Sequence, residues 1–166
     1  MKTLVSYFSQ TGNTKRVADA IYGEINGEKE LKELGDVGSL WDYDLAFIGF
    51  PIHAFGPAQP AKDFLQQQAK GKKVALFITH AAPEGEEGIE DWLNNCRKAA
   101  SDAELVGMFD CQGELDQNTA DFLLKSDNPM FQEFGARRPD TLGQPDESRL
   151  ARAREYAREI MDKVGV

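Results

Sequence analysis

The spacing of apolar residues constrains the fold of this chain more than any other feature. Near-continuous apolar runs occur at residues 3–8, 44–50, 73–79 and 104–111. Between or after them lie segments whose apolar residues recur every three or four positions, at residues 15–25, 60–68, 89–100 and 147–164. Fully buried parallel strands read as continuous apolar runs, and their crossover connections are usually helices. The pattern therefore predicts an α/β fold with a parallel sheet between two helical layers.

A polar segment at residues 29–34 is expected to add a short edge strand, which gives five strands in all. Right-handed crossovers then produce a doubly wound, three-layer arrangement. In such sheets ligands bind beyond the carboxyl ends of the strands, where the strand order reverses. The loops that follow Phe8, Phe50 and Thr79 should therefore meet at one edge of the sheet.

The length of 166 residues suits a single domain over residues 1–166, without internal repeats or linkers. One stretch, at about residues 112–146, is longer than a normal strand-to-helix connection. Its apolar residues predict local helices that pack on the rest of the domain; they are Phe122, Leu123, Leu124, Met130, Phe131 and Phe134. We therefore expect a packed insertion rather than a tail.

Composition limits the classes of partner. The formal net charge is −9 and the isoelectric point is about 4.7, which does not suit binding to nucleic acid or to an anionic membrane. Two cysteines are too few for a disulfide framework, and we expect neither a signal peptide nor a membrane-spanning segment from this sequence. We therefore expect a cytoplasmic protein, whose acidity either promotes docking to a basic protein partner or maintains solubility.

The loop after the first predicted strand has the composition of a phosphate-binding site. It comprises Ser9, Gln10, Thr11, Gly12, Asn13 and Thr14. A helix start offers unpaired N–H groups and partial positive charge, and a glycine lets the backbone approach an anion closely. An ordinary helix cap needs one polar side chain, whereas five of these six side chains can donate hydrogen bonds. The loop is not a Walker loop, and it resembles the FMN phosphate loop of the flavodoxin family.

Two further loops have the features that a flavin ring requires, which are apolar walls and backbone groups directed at polar ring edges. The first contains Pro51, Ile52, His53, Ala54, Phe55 and Gly56, and the second contains Thr79, His80 and Ala81. Pro51, His53 and Phe55 are expected to supply walls, and Gly56 is expected to adopt unusual backbone angles. Neither histidine has a partner at metal-ligand spacing, so we expect no metal site; one of them is a candidate hydrogen-bond donor to the flavin.

With these loops, the whole chain resembles the flavodoxin family. It is most similar to a branch with a Phe-x-Cys-Gln-Gly element on the last strand, here at residues 109–113. The resemblance implies a five-stranded parallel sheet in the order 2-1-3-4-5, FMN as cofactor, and electron transfer between protein redox partners. No catalytic residue is assigned.

Two departures from the family pattern concern the flavin. Gly56 precedes Pro57, which has no N–H, so the peptide rearrangement that commonly stabilises one-electron-reduced flavin in flavodoxins is not expected there. The second loop also lacks the tyrosine that usually stacks on the ring. That face of the flavin is therefore open, or covered by the insertion or by a partner.

Two functions are consistent with these sequence features. The first is an FMN-binding electron carrier, which the small size, the acidity and the lack of a second nucleotide motif favour. The second is an FMN-dependent NAD(P)H reductase of quinones or another small conjugated acceptor, which the missing tyrosine and the long insertion favour. A module that has lost FMN is a weaker third interpretation, because the phosphate loop is intact.

Several other residues allow a chemical and a structural interpretation. An acidic cluster follows the second flavin loop; it comprises Glu84, Glu86, Glu87, Glu90 and Asp91. It either lowers the flavin potential or is a solvated helix start. Cys96 and Cys111 are expected to be buried as small apolar residues. Arg137 and Arg138 are expected to be surface residues, with an anionic ligand or partner as the alternative.

Overall fold

The computed structural model describes residues 1–165. The strands are β1 (Lys2–Tyr7), β2 (Glu28–Glu33), β3 (Leu45–His53), β4 (Gly56–Pro57), β5 (Lys73–His80) and β6 (Glu104–Gln112). The helices are α1 (Asn13–Glu24), α2 (Gln59–Gln68), α3 (Ile89–Ala99), α4 (Gln117–Leu124), α5 (Pro129–Ala136), α6 (Arg138–Thr141) and α7 (Glu147–Lys163). Over this described range, no helix is long and apolar enough to cross a membrane.

The five long strands form one parallel sheet in the order β2-β1-β3-β5-β6. Counted without β4, this is the predicted order 2-1-3-4-5, so the predicted fold class is confirmed. The strand that sequence reasoning missed is β4, which pairs antiparallel with the end of β3 through a tight turn. The strand order reverses between β1 and β3, which places the ligand-binding edge of the sheet at their carboxyl ends.

Alternation of side chains along the strands builds two apolar layers. On one face, Leu4 of β1 packs in a core with Leu65 of α2 and Leu93 of α3. On the other face, Val5 packs in a core with residues of α1 and α7, which include Ile21 and Ile160. All six side chains are at most 4% exposed, and burying each such side chain contributes roughly 1.5–3 kcal/mol. Helices on both faces hold the sheet, so its carboxyl edge is a fixed platform.

Gly49 of β3 leaves room for a large side chain on the neighbouring strand. It lies opposite Phe77 of β5, whose ring is fully buried. A Cβ atom at Gly49 would be 1.9 Å from the Phe77 ring, which is far closer than two non-bonded atoms can approach. The glycine is therefore required for close packing between the two strands that end at the cleft described below.

We expect Gly49→Ala to destabilise the fold by about 3 kcal/mol or more, because the methyl group overpacks the core. The matched control is Gly23→Ala in α1, where a Cβ meets nothing within 4 Å. That change should raise the free energy of unfolding by up to about 1 kcal/mol through helix propensity. Urea unfolding measures both, and Phe77→Leu should recover part of the loss at Gly49. Equal stability of the two alanine variants would contradict this packing.

Residues 112–146 contain α4, α5 and α6, and polar contacts within the segment hold its two ends together. Leu115 N–H donates to the Thr141 hydroxyl over 2.9 Å, and Arg138 Nε donates to the Leu115 carbonyl over 3.0 Å. Phe134 packs against the main core. The segment contains local helices, as its apolar residues predict, although the side chains of Phe122 (74% exposed) and Met130 (63% exposed) face solvent.

Candidate functional site

The three predicted loops meet in one cleft of about 140 Å³ at the carboxyl edge of the sheet. The predicted residues that line it are Ser9, Gln10, Thr11, Asn13, Thr14, Pro51, Ile52, His53, Thr79, His80 and Ala81. The insertion, one of the candidates for covering the open face, supplies the fourth side with four residues that the sequence analysis did not identify: Glu114, Leu115, Asp116 and Thr119. The cleft thus joins a helix start, the end of β3, the end of β5 and the start of the insertion.

The first loop is preorganised by its own backbone and by Ser9. Gly12 has a φ of 96°, which is the left-handed region that glycine adopts without strain, and it caps α1. The Ser9 hydroxyl accepts hydrogen bonds from the N–H groups of Gly12, over 3.2 Å, and Lys15, over 3.3 Å. The N–H groups of Asn13 and Thr14 at the helix start have no intrahelical acceptor, so they are donors for an anion.

The side chains of this loop have different roles. Thr11 is exposed at the cleft. Thr14 is buried, and its hydroxyl is 2.8 Å from the hydroxyl of Thr79 at the end of β5. One hydroxyl of that pair donates and the other accepts, so the accepting one keeps a hydrogen for a ligand. The Thr14–Thr79 bond fixes the helix start relative to the second flavin loop.

Asn13 links the phosphate loop to the insertion. Its side-chain amide donates to the Glu114 carbonyl over 2.9 Å. A Cβ atom at Gly113 would lie 2.6 Å from the same amide nitrogen, so glycine permits this close approach. The amide that the sequence offered as a ligand donor is therefore already used, through one of its two hydrogens, to hold the insertion at the cleft.

The hairpin after β3 differs from expectation. The positive φ angles expected at Gly56 lie instead at Ala54 (47°) and Phe55 (69°), the two central residues of the turn. Phe55 does not line the cleft, because its ring packs on Trp92 of α3 with the ring centroids 5.5 Å apart. With Ala54 and Gly56, it borders a separate groove between the hairpin, α2 and α3, and His53 borders both the groove and the cleft.

His53 is an exposed residue, and its ring is nearly perpendicular to the ring of Phe8, with the ring centroids 6.3 Å apart. Partial loss of water around the imidazole lowers the pKa of His53 below its usual value of 6.5. The ring is therefore mainly neutral at pH 7, and it offers an uncharged wall at the mouth of the cleft. Pro51 and Ile52 continue the same wall.

The second loop is oriented by hydrogen bonds from the end of β6. The Gly113 N–H donates to the His80 carbonyl over 2.8 Å, and the Gln112 side chain donates to the Ala81 carbonyl over 3.0 Å. In a planar trans peptide the N–H points opposite to the C=O. The N–H groups of Ala81 and Ala82 therefore point away from β6, and Ala81 lines the cleft.

The residues that orient this loop belong to the Phe-x-Cys-Gln-Gly element, whose presence was visible in the sequence but whose role was not. Glu84 extends the contact, because it accepts from the Gln112 N–H over 3.0 Å. It is also bound by Arg149 and Arg152 of α7, each at 2.8 Å. Burial raises the pKa of Glu84, but the Gln112 N–H and the two arginines outweigh burial and hold the pKa below its usual value.

These contacts change the interpretation of the acidic cluster. Glu84 is neutralised by the two arginines of α7, and Glu86 is bound by Arg137 of the insertion over 2.6 Å. Arg138 binds Glu114 over 3.2 Å. Two carboxylates of the cluster therefore serve to anchor the second loop, and Arg137 and Arg138 hold the insertion.

Both cysteines are buried and unpaired. Burial raises the pKa of the Cys96 thiol and of the Cys111 thiol to about 12. Neither thiol is therefore activated as a nucleophile. Within residues 1–165 no group of three or more His, Cys, Asp or Glu side chains is arranged to hold a metal ion.

We expect neither thiol to react with a water-soluble disulfide reagent in the folded protein at about pH 8, because thiolate is the reactive form. Both thiols should react once the protein is unfolded in guanidinium chloride. Absorbance of the released thiolate measures the number of reactive groups. Rapid reaction of Cys111 in the native protein would show that the end of β6 opens to solvent.

A family model and a related sequence both show which known proteins this chain is similar to. A family model described as Flavodoxin domain matches residues 4–158. The chain is 32% identical over 176 residues to the Flavodoxin-like domain-containing protein BilS of Clostridioides difficile (strain CD3), covering 100% of this chain and 99% of BilS.

Solved structures are similar in fold. Oxidised Flavodoxin 2 from Bacillus cereus matches with a TM-score of 0.66 and 22% identity, over 98% of this chain and 99% of that one. A flavoprotein in complex with FMN from Lactobacillus acidophilus NCFM matches with a TM-score of 0.53 and 24% identity, over 73% of this chain and 97% of that one.

Proposed function

Because this chain belongs to the flavodoxin family, we propose that it binds one FMN in the cleft and carries electrons between protein redox partners. The observation that carries the proposal is the meeting of three loops at the point where strand order reverses. One of them offers unpaired N–H groups at a helix start, and another presents Ala81, whose backbone orientation is fixed by hydrogen bonds from the end of β6. A flavoprotein of similar fold forms a complex with FMN, which supports the choice of ligand.

The residues present fit FMN. The terminal phosphate would be held by the Asn13 and Thr14 N–H groups and the Thr11 hydroxyl, as charge-assisted hydrogen bonds. The ring would lie between the wall of Pro51 to His53 and the N–H groups of Ala81 and Ala82. Bound FMN supplies reversible one-electron and two-electron chemistry. The protein's contribution is to fix the cofactor at an open edge, within reach of a partner.

We expect the protein to bind one FMN and to bind riboflavin more weakly, because riboflavin lacks the phosphate. Thr11→Ala should weaken FMN binding about tenfold or more, since a hydrogen bond to a charged group contributes roughly 1.5–3 kcal/mol. Thr11→Ser keeps the hydroxyl and is the matched control, with affinity near that of the unaltered protein. Quenching of flavin fluorescence measures all four affinities.

A phosphate-binding role for the loop at residues 9–14 also predicts that Thr11→Ala affects FMN and riboflavin differently. Thr11→Ala should leave riboflavin binding unchanged, because the lost contact is to the phosphate alone. Equal affinity of the unaltered protein for FMN and riboflavin, or an unchanged FMN affinity in Thr11→Ala, would contradict a phosphate site at residues 9–14.

A second candidate is an FMN-dependent NAD(P)H reductase of quinones or another small conjugated acceptor. The observation that favours it is the lining of the cleft by the insertion, with Asp116 at the N-cap of α4 and Thr119 within that helix. The second loop has no tyrosine to cover the ring. Together these features would leave a recess for a small substrate beside the flavin.

Anaerobic addition of NADH or NADPH to the FMN-loaded protein separates the two functions. For a carrier we expect slow bleaching of the flavin absorbance, because no second nucleotide site is evident among the described residues. Adding a flavodoxin reductase with NADPH should then bleach the flavin rapidly. Rapid bleaching by NADH or NADPH alone would instead support the reductase.

A further inference from the structure

His80 is a buried side chain whose two ring nitrogens both face oxygen acceptors. Its side chain is 1% exposed at the end of β5. Nδ1 lies 2.9 Å from the Ala82 carbonyl oxygen, and Nε2 lies 2.8 Å from Oδ2 of Asp110 on β6. Both distances are those of hydrogen bonds, so each contact requires a proton between nitrogen and oxygen.

The Ala82 carbonyl can only accept, so Nδ1 must carry a hydrogen. An ionised Asp110 can likewise only accept, so Nε2 must carry a hydrogen as well. Either neutral tautomer of the imidazole would set the lone pair of one ring nitrogen against a lone pair of oxygen. The contacts are satisfied together only when the pair holds one additional proton.

We infer that the buried His80 and the partly exposed Asp110 form an imidazolium–carboxylate pair that locks the second loop of the cleft in its ligand-binding orientation. The proton resides on the ring, because imidazole is a stronger base than a carboxylate. Asp110 is the carboxylate in contact with the ring. The other carboxylate anchored at this loop, Glu84, is bound by Arg149 and Arg152 of α7 and by the Gln112 N–H.

The lock acts through the backbone. The ring of His80 holds the Ala82 carbonyl, while Gly113 and Gln112 hold the two carbonyls that precede it. Three successive carbonyls are thereby engaged, which fixes the orientation of the loop backbone at Ala81, the residue that lines the cleft. His80 and Asp110 are positioning residues in this scheme, since neither needs to touch the ligand. This part of the inference rests on the proposed flavin site, whereas the protonation state does not.

Nitrogen NMR of the ring tests the protonation state directly. The chain has two histidines, so ¹⁵N-histidine labelling gives two ring-nitrogen signals from each of two rings, and His53 serves as an internal reference. At about pH 7.5, above the usual imidazole pKa of ~6.5, His53 should be neutral. His80 should show both ring nitrogens protonated, with two slowly exchanging N–H protons, in the protein with or without FMN. A His80 ring with one N–H at this pH would overturn the inference.

Asp110→Asn tests the lock. The amide cannot hold a charged ring, so His80 should lose its second ring proton, and the loop should lose part of its order. We expect FMN and riboflavin to bind at least about fivefold more weakly, by the same factor, because the loop contacts the ring and not the phosphate. Asp91→Asn, an exposed aspartate on α3, is the matched control and should change neither affinity nor the ring signals.

The pattern of affinities separates this inference from the proposed function. Thr11→Ala should affect FMN alone, whereas Asp110→Asn should affect FMN and riboflavin together. Unchanged affinity for both flavins in Asp110→Asn would overturn the positioning role. If the unaltered protein bound no flavin, the proposed function would fail, and the ring signals of His80 would still decide the protonation of the pair.

Discussion

The pairing of β6 with β5 beyond their regular ends is the contact on which the cleft depends. Gly113 N–H donates to the His80 carbonyl over 2.8 Å, which carries the ladder past the last paired residues of the strands. At the same point the chain turns into the insertion, where Asn13 of the phosphate loop binds the Glu114 carbonyl. A side chain at residue 113 would collide with Asn13. One glycine therefore brings the second loop, the insertion and the phosphate loop together.

The carboxylates at this edge of the sheet are paired with arginines, although the chain as a whole is acidic. The formal charge is −9, yet Glu84 and Glu86 beside the second loop are bound by arginines from α7 and from the insertion. Compensated carboxylates repel a negatively charged flavin much less than free ones would. Partly buried, charge-assisted contacts of this kind fix geometry more than they add stability. The net negative charge of the chain is thus separate from Glu84 and Glu86, whose ion pairs fix the position of the second loop.

The sequence predicted the strands, helices and loop convergence because apolar periodicity follows directly from burial on two faces. It did not predict contacts that depend on register. His80 and Asp110 are 30 positions apart and meet because β5 and β6 pair in parallel, with His80 opposite Gln112. Thr14 and Thr79 are 65 positions apart and meet across α1 and β5. Local patterns identify which residues reach the cleft edge, whereas register decides which of them bind each other instead of a ligand.

The hairpin after β3 shows where residue type misleads. Positive φ at both central residues is typical of the tight turns that suit paired strands, but such turns usually use glycine or asparagine. Here the two central positions are Ala54 and Phe55, and their positive φ angles cost about 1–2 kcal/mol of conformational free energy each. Contacts with α3 offset that cost, since Asn95 donates to the Phe55 carbonyl over 3.0 Å and Trp92 packs on the Phe55 ring. The Gly56–Pro57 peptide lies in the paired strand β4 and not in the turn. The backbone conformation of the wall from Pro51 to His53 is therefore maintained from α3, on the side of the hairpin that faces away from the cleft.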